Sequence, residues 1–319
     1  MRIVALEEHY RYRDAGSGGS FEQGGVAQPA ALLAKLDDVG ASRIADMDAA
    51  GIDLEVLSHV TPGPAALEPA RAVPLARRAN DWAAEAVRRY PKRLAAFATL
   101  PMSDPDASAE ELERTVRELG FKGALINGTS QGRFLDDSRF FPLLERAEAL
   151  QVPLYLHPAP PPEPVMNAYF SGLDPALGRM LSMAGWGWHA ETALHTLRLI
   201  VAGVFDRCPR LQLIIGHMGE MLPFILARSN DVLAPFAKGL RRPVADYLRS
   251  NVHVTTSGMF TAPPLLLAIE VLGIDRIMFS VDYPYASHAR GRAFLDGLPF
   301  SPTDMDKLSH GNAERLLGL

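Results

Sequence analysis

The sequence is poor in cysteine and tryptophan and has no long apolar run. A single cysteine among 319 residues excludes an intramolecular disulfide and fits a reducing compartment, so a cytoplasmic location is expected. That residue, Cys208, lies in FDRCPRL with no His or Lys beside it to favour the thiolate, and is expected to be inert. No apolar run approaches the roughly 18–20 residues of a membrane span. The N-terminus has no basic region followed by an apolar stretch, so no targeting segment is expected. Asp and Glu outnumber Lys and Arg, 37 to 32, for a formal charge of −5, and no stretch gathers the basic residues on one face. That balance argues against nucleic-acid and membrane partners and for a small molecule.

What the chain does have is a recurring unit. Eight short apolar or β-branched runs alternate with segments of helical spacing: RIVAL (2–6), LEVLSHV (54–60), RLAAFATL (93–100), KGALIN (122–127), VPLYLH (152–157), LQLIIG (211–216), VHVTTS (252–257) and RIMFSV (276–281). Nearly continuous apolar runs mark strands buried on both faces. Eight of them, each followed by a helix, predict an α/β fold: a single (β/α)8 TIM barrel domain over 1–319. Ser108 with Glu111 reads as a capping box opening one helix. Two connections are long. Residues 11–25 are Gly-rich, and the loop insertion after the fifth strand, 157–188, begins Pro-rich and then gathers Tyr169, Phe170, Trp186 and Trp188; such loops serve as lids or binding loops.

In a (β/α)8 barrel, chemistry sits at the C-terminal strand ends. Those ends carry Glu7, Glu8 and His9, then His59, Asn127, His157, His217, Thr255 to Ser257, and Asp282. Residues two apart on a strand share a face, so Glu7 and His9 point together and Glu8 points to the barrel's outside. Glu7, His9, His157 and Asp282 then form a set of two nitrogens and two oxygens that suits one divalent ion, Zn²⁺ or Mn²⁺. With a helix starting near Met218, Glu220 comes within reach of His217 and can fix its tautomer.

ALEEHY, GALINGTSQG, PLYLHP, ETALHTLRLIVAGVFDRCPRLQLIIGHMGEMLPF, VHVTTSG, FSVDYPY and a closing GNAERLLGL run in order from residue 3 to 318. This ordered set resembles the ACMSD-like branch of the amidohydrolase superfamily, and within it non-oxidative hydroxybenzoate decarboxylases of the γ-resorcylate and 2,3-dihydroxybenzoate type. The resemblance implies a (β/α)8 metalloenzyme with Glu7, His9, His157 and Asp282 at the metal, His217 and Glu220 as the catalytic histidine and its acid, and Asn127 in a loop near the substrate. It also implies a homodimer or homotetramer. The sequence departs from this pattern after His157, where Pro158, Ala159 and Pro160 follow.

The expected reaction is decarboxylation of an ortho-hydroxy aromatic acid, with Asp282 delivering a proton to the ring carbon that bears the carboxylate. Trp186 and the other lid aromatics, and His288 after the eighth strand, are candidates for substrate contact. Arg290 and Arg292 could meet a carboxylate. The alternative is hydrolysis of an amide, ester or lactone by a metal-bound water. A carboxylate in the Glu-x-His pair weakens the metal as a Lewis acid towards water, which favours decarboxylation. His189 and His195 are expected to be structural.

Overall fold

Eight parallel strands form where the apolar runs predict them, and the computed structural model describes residues 1–12, 22–23, 26–61 and 63–319. They are β1 (Val4–Tyr10), β2 (Leu54–His59), β3 (Leu94–Ala96, continued as Ala98–Thr99), β4 (Ala124–Asn127), β5 (Leu154–His157), β6 (Leu213–Ile215), β7 (Val252–Thr255) and β8 (Ile277–Met278). Each pairs in parallel with its sequence neighbours. β3 is interrupted at Phe97, whose N–H bonds back to Leu57 while Ala98 N–H bonds forward to Gly123. A parallel bridge between Leu6 and Ser280 closes β8 onto β1, giving the (β/α)8 barrel. Most of the Gly-rich segment expected as a loop lies outside the described residues.

Alternation divides each strand between two cores. Val4, Leu6, Leu54, Val56, Phe97 and Tyr155 belong to the cluster that fills the barrel, while Ala5, Leu57, Ala96 and Ile126 face the surrounding helices. Ala313 and Leu317 from the terminal helix Asn312–Leu317 join the inner cluster and plug the N-terminal end of the barrel. The opposite end is left to the polar strand termini. Among the described residues no helix is long and apolar enough to cross a membrane.

Strict alternation would send Leu6 and Glu8 inward together. β1 instead carries one extra residue: Ala5 pairs with Glu55, but Glu8 pairs with Leu57, and Glu7 takes φ 61°. This bulge turns Leu6 and Glu7 to the same side. The barrel interior therefore keeps its apolar Leu6 and still receives Glu7 and His9 above it.

Two expectations change. The helix Pro105–Leu119 is capped by Asp104, which accepts the Ala107 N–H at 3.1 Å; Ser108 lies buried inside it, and Glu111 bonds Asn80 and Arg114 instead. The insertion after β5 is partly helical, with helices Glu163–Tyr169 and Pro175–Ser182.

Candidate active site

The centre of the site is the Glu7 carboxylate, which is fully buried. One oxygen is held: Oε2 accepts from the Tyr155 hydroxyl and from Ser257 Oγ at 2.5 Å. Tyr155 precedes His157 by two residues on the same face of β5, and Ser257 follows β7. Gly216 completes the cradle, because a Cβ there would stand 2.8 Å from this oxygen. The other oxygen, Oε1, accepts no hydrogen bond from any of the described residues. Around it stand three imidazole Nε2 atoms: His157 at 3.3 Å, His217 at 3.8 Å and His9 at 4.0 Å. Burial would raise the Glu7 pKa, but His217, His157 and His9 outweigh it and hold the carboxyl well below its ordinary range.

Asp282 enters from the end of β8, in the left-handed region at φ 66°. Its Oδ1 is 3.2 Å from His9 Nε2 and its Oδ2 3.9 Å from His217 Nε2. Burial again pushes towards the acid form, and the contacts with His217 and His9 prevail, lowering the pKa. His9 is aimed from behind by Ser58 Oγ, 3.2 Å from its Nδ1. Two ligands about 2.1 Å from one ion at 90–110° stand about 3.0–3.4 Å apart. The His157–Glu7 and His9–Asp282 separations meet that requirement, and the unpartnered Glu7 oxygen is the atom an ion would satisfy. Glu7, His9, His157 and Asp282 can therefore hold a divalent cation.

Beside this set lies a carboxylate with two histidines. Glu220 Oε1 is 2.8 Å from His217 Nδ1, and its Oε2 is 2.6 Å from His189 Nδ1. No helix starts at Met218. His217 through Met221 all have positive φ, 48°, 56°, 85°, 52° and 64°, and the regular helix begins at Leu222. This left-handed turn costs about 1–2 kcal/mol per non-glycine residue and brings Glu220 back over its own histidine, the kind of strain that functional sites retain. Desolvation opposes protonation of His217, yet Glu220, Glu7 and Asp282 raise its pKa well above the usual histidine value.

Two cavities meet at the cluster. The larger, about 830 Å³, is lined by His189, His217, Glu220 and Asp282 on one side and by Trp186, Met218, Phe224, Met259 and Leu267 on the other, with Arg290 also on its wall. The smaller, about 170 Å³, is lined by His9, His157, Met180, Met183, Trp188 and Tyr285. Trp186 and Trp188 line these cavities, whereas Tyr169, 76% exposed, and Phe170 line neither.

Three expectations are corrected. His288 does not reach the cavity: it is buried behind the barrel wall, 2.8 Å from Glu55 and stacked on Tyr283 at 4.3 Å, because the buried carboxylate on the outer face of β2 draws it there. Asn127 sits beside His157 in the β4–β5 register but lies outside the lining of both cavities. His189, expected to be structural, stands on the cavity wall, since its first-turn position in the helix Gly187–Val201 delivers it to Glu220. His195 is structural and accepts the Leu135 N–H at 2.8 Å. Arg292 pairs with Asp296, leaving Arg290 as the arginine of the cavity wall.

The amidohydrolase family profile matches residues 35–319. A decarboxylase, orsB, of Emericella nidulans is 39% identical over 99% of this chain and 96% of its own length. A γ-resorcylate decarboxylase of a Polaromonas species is 38% identical over 99% of this chain and 98% of its own. Among solved structures, a 5-carboxyvanillate decarboxylase of Novosphingobium aromaticivorans, with bound manganese and a hydroxy-methoxy-nitrobenzoic acid, superposes with a TM-score of 0.91 at 36% identity, covering 100% of this chain and 97% of that one. The chain therefore belongs to the amidohydrolase family, on the branch of the γ-resorcylate decarboxylases.

Proposed function

We propose that Asp282 is the proton donor of a non-oxidative decarboxylation, with Glu7, His9, His157 and Asp282 holding the metal. The chain is a metal-dependent carbon–carbon lyase that acts on a hydroxy-aromatic carboxylic acid, as its full-length relatives do, and its cofactor is one divalent ion. The carrying observation is the buried Glu7 Oε1, which has no donor among the described residues and faces three imidazoles. Zn²⁺ and Mn²⁺ both suit this donor set, and the manganese in the 5-carboxyvanillate decarboxylase supports the second. The bound ion supplies positive charge that favours an anionic acid and supports the loss of aromaticity.

The protein's own groups supply the proton. His217, kept cationic by Glu220, holds a proton at Nε2 facing Asp282 Oδ2. Asp282 takes this proton and passes it to the ring carbon bearing the carboxylate. A carbon–hydrogen bond forms there, the ring–carboxylate bond then breaks, and its electrons return to the ring as CO₂ leaves. His189 shares Glu220 with His217, which keeps that carboxylate in place through the transfer. Trp186, Trp188 and the methionines cover the ring and keep water away.

One barrel over 1–319 carries all of these groups. The family resemblance is the ground for a homodimer or homotetramer, and the single buried Cys208 supports a cytoplasmic setting. The test is CO₂ release from γ-resorcylate and 5-carboxyvanillate by metal-loaded protein, alongside hydrolysis of lactones and amides. CO₂ that disappears on chelation supports the reading; hydrolysis alone overturns it.

A further inference from the structure

Glu8, the acid of LEEHY that turns from the cavity, is fully buried, and both of its oxygens are committed. Oε1 accepts the Val281 N–H at 2.8 Å and Oε2 accepts the Tyr283 N–H at 3.0 Å. These residues stand on either side of Asp282, the one residue of the segment in the left-handed region. The nearby Arg43 guanidinium does not take Glu8 as a hydrogen-bond partner. It gives Nη1 to Glu55 at 2.9 Å and Nη2 to the His9 carbonyl at 2.5 Å. The His9 N–H, in turn, donates to the Tyr283 carbonyl at 2.7 Å. Behind the barrel wall, then, the Glu8 carboxyl group grips the chain around Asp282 and a guanidinium grips the chain at His9, and the two side chains so held meet at 3.2 Å on the other side.

We propose that Glu8 is a positioning residue for Asp282: its two oxygens, bonded to the N–H groups that bracket Asp282, hold that carboxylate at the distance from His9 that metal binding and proton delivery require. The inference rests on the roles proposed for Asp282 and His9. The Glu8 side chain is suited to this because its two oxygens lie in one plane and each accepts one of the two N–H groups. Glutamine keeps the size but sets an NH₂ group against one of the two N–H donors, which loosens one side of the grip. The bulge at Glu7 serves the same end, since it is the extra residue that turns Glu8 to the wall while Glu7 and His9 face the cavity.

The test is a double-mutant cycle of Glu8→Gln and Asp282→Asn, read first as Mn²⁺ affinity of the metal-stripped full-length protein by calorimetric titration. Glu8→Gln is expected to weaken Mn²⁺ binding at least tenfold when Asp282 is present and less than twofold in the Asp282→Asn background. On γ-resorcylate, the single variant is expected to lose at least tenfold in kcat with KM within threefold. Equal weakening in both backgrounds, or a lowered melting temperature with unchanged metal affinity, gives Glu8 a merely structural role and overturns the proposal. Should Glu8→Gln not fold, Glu8→Asp keeps the carboxyl group and withdraws both acceptors by one methylene, and is read in the same cycle. The titrations need no substrate, so they decide the positioning role even where the decarboxylase reading fails.

Discussion

Glu7 and His157 face each other across 3.3 Å through two atoms that make no hydrogen bond to each other, the Glu7 Oε1 and the His157 Nε2. The opposite oxygen of Glu7 is tied to Tyr155 and Ser257, so the carboxylate is aimed rather than free. An acid arranged this way serves an ion better than it serves a proton.

Tyr155→Phe removes one of the two donors that aim Glu7 and leaves the apolar packing of the ring in place. Mn²⁺ affinity should fall about 10–100-fold, the usual cost of losing a hydrogen bond to a ligating group. Calorimetric titration of the metal-stripped variant checks this, with circular dichroism expected to match the parent.

Glu220→Gln removes the charge that keeps His217 cationic, while Gln can still bond one of the two histidines. The expected loss is about 10²–10⁴-fold in kcat, the range for an acid–base group, with metal content unchanged. Because the parent His217 pKa is raised, activity in the variant should also be lost at lower pH than in the parent. A kcat–pH profile reads both effects.

Arg290 is the arginine on the wall of the large cavity and is exposed, so solvent weakens its charge. Arg290→Met should raise KM for an aromatic acid about three- to tenfold and change kcat less than twofold. Steady-state kinetics at two ionic strengths check this, since salt should narrow the gap between parent and variant.

His195 is buried and accepts the Leu135 N–H, a bond that only its neutral form can make. Burial, opposed by Asp136 and aided by Arg198, lowers its pKa to about 4. The unfolded chain binds this proton near pH 6.5, so between those values the unfolded state holds more protons and stability rises with pH. The contribution is present above about pH 6.5 and is lost as pH falls towards 4, amounting to roughly 2 kcal/mol at about pH 4.5. Urea unfolding of His195→Gln should show a correspondingly shallower decline between about pH 6.5 and 4.5.

The barrel and much of the cluster are legible in the sequence because they depend on local pattern. An apolar run ending in a polar residue marks a strand end, and Glu7, His9, His157, His217 and Asp282 all stand at such ends. Glu220 was placed with His217, although by a left-handed turn where a helix start was expected. His189 was missed because its contact with Glu220 joins residues 31 apart, a matter of how the lid's last helix docks. Tyr155 could have been found, since it shares a strand face with His157 at spacing two. His288 misled because proximity in sequence to Asp282 says nothing about the side of the wall it packs on; the buried Glu55 decides that. The bulge in β1 leaves no mark in composition, yet without it Glu8, not Glu7, would face the ion.

The central claim is tested most directly by converting γ-resorcylate with Mn²⁺-loaded enzyme in deuterium oxide and locating the label in the product by mass spectrometry and NMR. The account predicts CO₂ and one deuterium at the carbon that carried the carboxylate, with turnover abolished by chelation and reduced at least ~100-fold by Asp282→Asn. Undiminished turnover in Asp282→Asn, or no CO₂ from any ortho-hydroxy aromatic acid, would contradict it.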